Sequence, residues 1–321
     1  MPVITRNTDA DSGRPISVFN TTLFNVLTTL GVFSIAAVLG PALFSSRVKR
    51  STIWFSTLIS WLMYSVSYLL LLGRQIGPAN PPLGLCIFQA SLIYATTPLC
   101  AVATACLVVD FFHDVFIVQI KGKRIGRRTA KTLVLLPWII GLVVCVETIL
   151  CVQNMKTASR DVNHFYCHID NRVPTLTNIT VIFLCGVFTV PVGVYTAIIL
   201  HRNWTAFKRM SREKAHIALF TFFRLTLFTA LVSFAMGISV FTATSQGDFT
   251  PDVSILLTTL PTFSALCLGT QRDIIGVWLF WRQEISAPSI LVHHPKETKA
   301  PSIVIEIPSP VLGSWKSGLI V

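Results

Sequence analysis

Eight cysteines give this chain its clearest capacity for chemistry, because a thiol either forms a disulfide or packs as a small apolar side chain. Cys86 and Cys167 stand apart, since Cys86 begins a long apolar stretch and Cys167 follows a short aromatic segment between two stretches. The other six lie inside such stretches or at the end of one, where packing is the expected role: Cys100, Cys106, Cys145, Cys151, Cys185 and Cys267.

Three charged residues lie within or beside the apolar stretches, where a charge is costly. Glu147 could bind a cationic or hydrogen-bonding ligand group, or it could reach a lipid headgroup layer. Asp110 directly follows the third of these stretches and Arg224 lies near the start of the sixth, which puts both near the same face of the membrane. They could meet in an ionic contact, or each could extend separately to the membrane interface.

All seven histidines lie outside the apolar stretches. A zinc site within a membrane needs histidine and acidic ligands that converge there. The sequence therefore predicts no metal site, no other cofactor and no enzymatic activity.

Uncharged polar residues inside the stretches are candidates for ligand contacts, although hydroxyl and amide groups also join membrane helices to one another. Three of these candidates lie in the stretch that begins near Cys86, and one lies in each of three later stretches. With Glu147, the candidate ligand-binding residues are Gln89, Tyr94, Thr97, Asn178, Ser239 and Thr258.

The elements that must position these residues are seven apolar segments, each close to the roughly 20 residues that a helix needs to cross a bilayer. They lack the alternating pattern of barrel strands, and 52% of the chain is hydrophobic against 12% charged. The sequence thus predicts an all-α membrane protein with a seven-helix bundle. The segments are Phe19–Phe44, Thr52–Leu72, Leu83–Val109, Leu133–Cys151, Leu176–Leu200, Phe220–Phe241 and Val253–Gly269.

Lysine and arginine alternate between the two sides of this bundle. The loops after the first, third and fifth segments carry fourteen of them, and the N-terminus with the remaining loops carries six. Because cytosolic loops are enriched in these residues, we expect the N-terminus to lie outside and the C-terminus in the cytosol. The net charge of +12 then reflects this bias and not a nucleic-acid surface.

This orientation places Cys86 and Cys167 on the outer side, where disulfides persist. We expect a Cys86–Cys167 bond that holds the second outer loop to the start of the third helix. Pairing of Cys151 with either residue is the competing arrangement.

A chain with seven spans, an outer N-terminus, a cysteine at the start of helix 3 and a partner cysteine in the next outer loop resembles the G-protein-coupled receptors. Asp110, 24 positions after Cys86, resembles the acidic residue of that family's Asp-Arg-Tyr site, with Phe111 in place of the arginine. The junction 268–273 before a tryptophan-rich segment is similar to orphan receptors of fungi. The resemblance covers about residues 19–283 and implies an extracellular ligand and a heterotrimeric G protein as partner.

Several family features are missing. Helix 6 has no proline, and helix 7 retains only Pro261 of the expected Asn-Pro-x-x-Tyr element. Ile93 stands where amine receptors carry an acidic anchor, which disfavours an amine ligand. Helix 7 has no lysine, which argues against a retinal Schiff base.

The cytosolic side is the expected partner surface. Lys208, Arg209 and Arg212 could dock a G-protein subunit or anionic lipid, or they could reflect topology alone. After helix 7, residues 271–283 show helical spacing of aromatic and apolar residues and predict a short interfacial helix. Residues 1–18 are expected to form an extracellular N-terminus, and residues 284–321 a disordered cytosolic tail.

Two function classes remain after these exclusions. A receptor in the plasma membrane is the leading hypothesis, and a lipid or small-solute exporter with seven helices is the main alternative. A disulfide and a closed polar pocket would favour the receptor, whereas a groove open to lipid would favour the exporter. Transporters with internal repeats are disfavoured because the chain shows none. Assembly into a homo-oligomer is left open.

Overall fold

The computed structural model describes residues 18–45, 50–75, 81–121, 126–155, 158–160, 165–169, 171–202, 212–244, 251–270, 274 and 277. Within them lie seven helices and one two-stranded antiparallel sheet. The helices are α1 Val18–Phe44, α2 Thr52–Leu69, α3 Leu83–Lys121, α4 Arg127–Met155, α5 Arg172–Arg202, α6 Arg212–Thr244 and α7 Pro251–Gly269. The strands, β1 Ala158–Arg160 and β2 Cys167–Ile169, lie between α4 and α5.

Five of the described helices are long and apolar enough to cross a membrane: α1, α3, α4, α5 and α7. Their outward faces expose large apolar side chains such as Phe33, Leu142 and Phe183. Only 6% of the apolar window of α5 is buried within the protein. Such a surface is stable against lipid and not against water. The chain is therefore a multi-pass membrane protein.

The other two helices, α2 and α6, are not among these five. In α2, Ser56, Thr57, Ser60, Ser65 and Ser67 are all buried, so hydroxyl groups that lower its hydropathy face the bundle and not its surroundings. In α6, the apolar segment among the described side chains is Leu219–Ala235, and the neighbouring side chains of this helix on both sides lie outside the described part.

Six of the seven helices continue beyond the predicted apolar segments, whereas α2 ends at Leu69, before the predicted Leu72. α3 has 39 residues, which corresponds to about 58 Å at 1.5 Å per residue and exceeds a hydrocarbon core of roughly 30 Å. The sheet between α4 and α5 was not predicted. Its pairing of Ser159 with His168 depends on where the loop is held, and an alternating pattern over three residues is too short to recognise.

α3 is the central helix of the bundle. In its apolar window, 78% of the residues are buried, and the helix packs against α2, α4 and α5. α1 packs mainly against α7 and then α2, while α6 packs against α7. Of the predicted interfacial helix 271–283, only Ile274 and Val277 are described; both are helical and pack against the core. The predicted N-terminal region (apart from Val18) and tail lie outside the described residues.

Three glycines, Gly31, Gly141 and Gly269, allow neighbouring helices to approach closely. A Cβ atom at Gly31 of α1 would lie 3.1 Å from Pro261 Cβ in α7 and 3.3 Å from Ser65 Oγ in α2. A Cβ at Gly141 of α4 would lie 2.8 Å from a methyl group of Leu99 in α3. Small residues have the same role at other membrane-helix contacts, where close backbone approach increases dispersion attraction.

The Gly31 contact makes a direct prediction. Replacing Gly31 with leucine inserts a side chain where three helices meet, and overpacking of this kind costs about 1–3 kcal/mol of unfolding free energy. The measurement is the thermal unfolding midpoint of the detergent-solubilised protein.

Gly40→Leu is the matched control, because Gly40 also lies in α1 and a Cβ there would meet nothing within 4 Å. We expect Gly31→Leu to lower the midpoint and Gly40→Leu to leave it unchanged or raise it. Equal midpoints for the two variants would contradict the close approach of α1 to α7.

Candidate functional site

The hairpin formed by β1 and β2 is attached to α3 by a disulfide. Cys86, in the first turn of α3, is bonded to Cys167 in β2, with Cα atoms 5.3 Å apart. The competing partner Cys151 is a free, half-buried thiol. The structure therefore contains the expected bond. The two cysteines pack in a small buried cluster with Leu71 and Ala90.

Gln89 makes a second attachment one turn further along α3. Its Nε2 lies 3.2 Å from the Ser67 carbonyl oxygen and 3.4 Å from that of Tyr68, both in α2. Its Oε1 accepts the Cys167 backbone N–H at 3.1 Å. The side chain is fully buried. This predicted ligand residue thus joins α2, α3 and the hairpin to one another.

The hairpin also places an aromatic residue over the end of the bundle. Phe165 is 1% exposed, and its ring stacks on Phe24 of α1 at 4.8 Å between centroids. Gln75 Nε2 donates to the Phe165 carbonyl oxygen at 2.9 Å, and Gln75 Oε1 accepts from Asn25 Nδ2 at 2.5 Å. Phe165 is therefore buried at this end of the bundle, which we call the hairpin end.

A chain of aromatic contacts runs from the hairpin into α6. Adjacent rings lie 4.8–5.8 Å apart, within the range of favourable aromatic pairs. All of its members are buried. In order of contact they are Phe165, Phe24, Tyr68, Tyr64, Trp61 and Phe228. The chain thus connects the hairpin through α1 and α2 to α6.

Two predicted ligand residues contact the first turns of α5, and a third belongs to those turns. Glu147 of α4 accepts a hydrogen bond from the Thr177 hydroxyl at 2.7 Å. The hydroxyl groups of Tyr94 and Thr175 lie 3.5 Å apart. Asn178, next to Thr177, is 9% exposed, and its Oδ1 has no hydrogen-bond partner among the described residues. We call Tyr94, Glu147 and Asn178 the polar cluster.

A cavity of about 560 Å³ lies between α3, α5 and α6, near the middle of these helices. Its lining is apolar for the most part, with hydroxyl groups from each of the three helices. It reaches the outer surface of α5, where the lining residues Phe183, Val187 and Val190 are exposed to the surroundings of the bundle. The residues that define its walls are Ala101, Thr104, Ile182, Gly186, Val232 and Gly237.

The remaining predicted ligand residues do not share one site with the polar cluster. Thr97 of α3 donates to its own helix, to the Ile93 carbonyl oxygen at 2.8 Å. Thr258 lies in α7, which packs on α1, and bonds within its own helix in the same way. Ser239 belongs to α6, and its side chain is outside the described part.

At the opposite end of the bundle, α3 and α6 meet through aromatic rings. Phe111 stacks on Phe222 with centroids 6.2 Å apart. Arg224 donates from Nη1 to the Thr270 carbonyl oxygen beyond α7, and its guanidinium lies 5.1 Å from the centre of the Phe220 ring. The hydrogen bond of Arg224 joins α6 to the residue that follows α7. The predicted ionic contact between Asp110 and Arg224 stays a prediction.

The predicted partner surface lies almost wholly outside the described residues. Lys208 and Arg209 are not described, and Arg212 is described only as the first residue of α6. Sequence reasoning also missed Gln75, the aromatic chain and the cavity. The helical spacing of Trp61, Tyr64 and Tyr68 was the sequence signal from which the aromatic chain could have been predicted. The cavity has no such signal, because it depends on how α5 and α6 pack.

Comparisons with known proteins add no assignment. No known protein family matches the sequence. No curated protein matches it either.

The attachment of the hairpin leads to a second prediction. A variant with both Cys86→Ala and Cys167→Ala loses a bond that spans 81 residues of sequence, and such a loss costs about 2–4 kcal/mol. The thermal unfolding midpoint in detergent should fall, and the mobility difference between reduced and non-reduced protein on a denaturing gel should disappear.

Cys151→Ala is the control, since this thiol is free in the structure. It should preserve both the midpoint and the mobility difference. Loss of the mobility difference in Cys151→Ala would instead show that Cys151 takes part in the disulfide.

Proposed function

We propose that this protein is a receptor that binds a ligand and transmits its presence to a cytosolic partner, which the sequence resemblance suggests is a heterotrimeric G protein. The observation that carries the proposal is the hairpin, which is held to α3 by a disulfide and connected to α6 by an unbroken chain of aromatic contacts. No catalytic role is part of it.

The proposal includes a topology. All seven helices cross the plasma membrane, with the N-terminus and the hairpin outside. α2 is included because its buried hydroxyl groups face other helices; Thr57, for example, donates to the Ala103 carbonyl oxygen of α3 at 3.2 Å. The disulfide supports an exterior position for the hairpin end, because disulfides persist in oxidising compartments. The excess of basic residues in the loops at the opposite end supports the same orientation, because such loops are usually cytosolic.

The contacts of α6 support a transmitting role. Near its centre Phe228 packs against Trp61 of α2, and one and a half turns earlier Phe222 stacks on Phe111 of α3. A ligand that changes the position of α6 alters both contacts. The protein then shifts between two packings to the extent that the ligand binds them with different affinity.

The alternative is a lipid or small-solute exporter. The open apolar cavity between α5 and α6 favours this class, because a path for lipid needs a surface that the bilayer can reach. The disulfide that attaches the hairpin to α3 favours the receptor, since this bond is one of the features that the resemblance to that family implies. A receptor with a lipophilic ligand accommodates both observations.

The third prediction tests signalling through the Phe111–Phe222 contact. If this stack holds α3 and α6 together in the resting state, Phe222→Ala weakens a contact of about 0.5–1.5 kcal/mol beyond its area burial. Basal nucleotide exchange should rise several-fold, as measured on candidate Gα subunits in membranes that contain the protein.

Phe223→Ala is the matched control, because Phe223 is the next residue and its side chain is 64% exposed. It should leave exchange at the wild-type rate. If no Gα subunit responds to wild-type protein with cell extract or to Phe222→Ala, while reconstituted vesicles show translocation of a labelled lipid, the exporter replaces the receptor.

A further inference from the structure

We propose that the cavity between α3, α5 and α6 binds the hydrocarbon chain of a lipophilic amphiphile that enters from the bilayer, with a hydroxyl or N–H group of that molecule donating to Asn178 Oδ1. This inference rests on the proposed receptor function and deepens it by naming the class of ligand.

The depth of the cavity identifies its environment. On α5 its lining runs from Ile182 to Pro191, and α5 extends from Arg172 to Arg202. The cavity therefore begins about 15 Å from either end of the helix, at 1.5 Å per residue. At that depth in a bilayer the surroundings are hydrocarbon. Its volume of about 560 Å³ is within the range of cavities that hold small ligands, roughly 300–1,000 Å³.

Three of the four hydroxyl groups in the lining are already engaged within their own helices. Thr104 donates to the Cys100 carbonyl oxygen at 2.8 Å, Thr189 to that of Cys185 at 2.7 Å, and Thr229 to that of Thr226 at 3.0 Å. The hydrogens of these three hydroxyl groups are therefore used within the helix, and Ser233 is the fourth lining hydroxyl. What remains for a ligand is mostly methyl and aromatic surface, which a hydrocarbon chain matches.

One polar atom near the cavity does lack a partner. Asn178 is 9% exposed, and its Oδ1 accepts no hydrogen bond from the described residues. Ile182, a lining residue, follows Asn178 by four positions, so the two lie on the same face of α5. On α3, the predicted ligand residue Thr97 precedes the lining residue Ala101 by four positions, so it also lies one helical turn from the cavity. An unpaired buried acceptor is unfavourable, and a ligand that donates to it removes that cost.

Access is from the side of the bundle. Phe165 of the hairpin is 1% exposed, and Gln75 and Gln89 hold the hairpin by hydrogen bonds. By contrast the cavity reaches the outer surface of α5, where its lining residues Phe183, Val187 and Val190 are exposed. A molecule dissolved in the bilayer reaches this surface without displacing the hairpin.

Binding there would act on α6. Val232 lines the cavity, and Phe228, one turn before it on the same face, is the last ring of the aromatic chain. A hydrocarbon chain wedged between α5 and α6 presses on the helix that also contacts α3 through Phe222.

Two glycines make the site testable. A Cβ at Gly186 or at Gly237, which line the cavity from α5 and α6, meets nothing within 4 Å. Leucine at either position therefore fills the cavity without a backbone clash. Gly193 is the matched control. It lies two turns beyond Gly186 on the same face of α5, is equally free of neighbours, and is outside the cavity.

The experiment uses the full chain reconstituted in lipid nanodiscs. The probe is a long-chain alcohol with a photoreactive diazirine in its chain and a terminal alkyne for detection. Labelled peptides are mapped by mass spectrometry. We expect labelling of the cavity segments of α5 and α6 in wild-type protein and in Gly193→Leu, and its loss in Gly186→Leu. If Gly186→Leu fails to fold, Gly237→Leu replaces it.

The polar contact is tested separately. Asn178→Leu should weaken competition by the unlabelled alcohol about five-fold, the factor that one hydrogen bond of ordinary net strength contributes. A phosphatidylcholine probe with the same photoreactive chain but no donor should label wild-type protein and Asn178→Leu equally.

Two results would overturn the inference: equal labelling of Gly186→Leu and Gly193→Leu, or labelling spread over all exposed helix faces in proportion to their area. The labelling does not depend on signalling. Absence of nucleotide exchange with intact cavity labelling would therefore remove the receptor proposal and leave the binding site standing.

Discussion

The hairpin between α4 and α5 is held to the start of α3 by the Cys86–Cys167 disulfide and by the amide of Gln89, and the arrangement of the hairpin end depends on these two attachments. Because they lie one turn apart on α3, they determine both the position and the direction of β2. Phe165, two residues before Cys167, is thereby placed over the bundle against Phe24. Without these attachments Phe165 would not be held against Phe24, and the hairpin would not be connected to the aromatic chain.

An aromatic contact joins α3 and α6 at the end of the bundle opposite the hairpin. At the position after Asp110, where the receptors that this sequence resembles carry an arginine, this chain has Phe111, and its ring stacks on Phe222 of α6. Such a stack contributes about 0.5–1.5 kcal/mol beyond its area burial, whereas separating a buried ion pair leaves a charge uncompensated, which is more costly. Neither ring carries a charge, so this contact itself separates without that cost.

The bundle is packed unevenly, and the unevenness locates the cavity. Close approach at Gly31 and Gly141 draws α1 to α7 and α4 to α3. Gly186 and Gly237 face open space instead, so the same residue type that permits contact elsewhere leaves a gap between α5 and α6. A gap in a water-soluble core would be costly to leave empty, whereas one that opens to a bilayer is filled by hydrocarbon.

Composition and the length of the apolar segments were enough to predict a helical membrane protein, the order of its helices and the disulfide, because a bilayer requires long apolar helices and an oxidising compartment favours paired cysteines. Sequence did not predict the hairpin, the full burial of Gln89, the burial of Phe165 or the cavity. These depend on contacts between residues far apart in the chain, such as Gln75 with Phe165 and Trp61 with Phe228. Helical periodicity shows that a side chain belongs to one face of its helix. Only the packing of the helices decides whether that face meets another helix, a lipid or an open space.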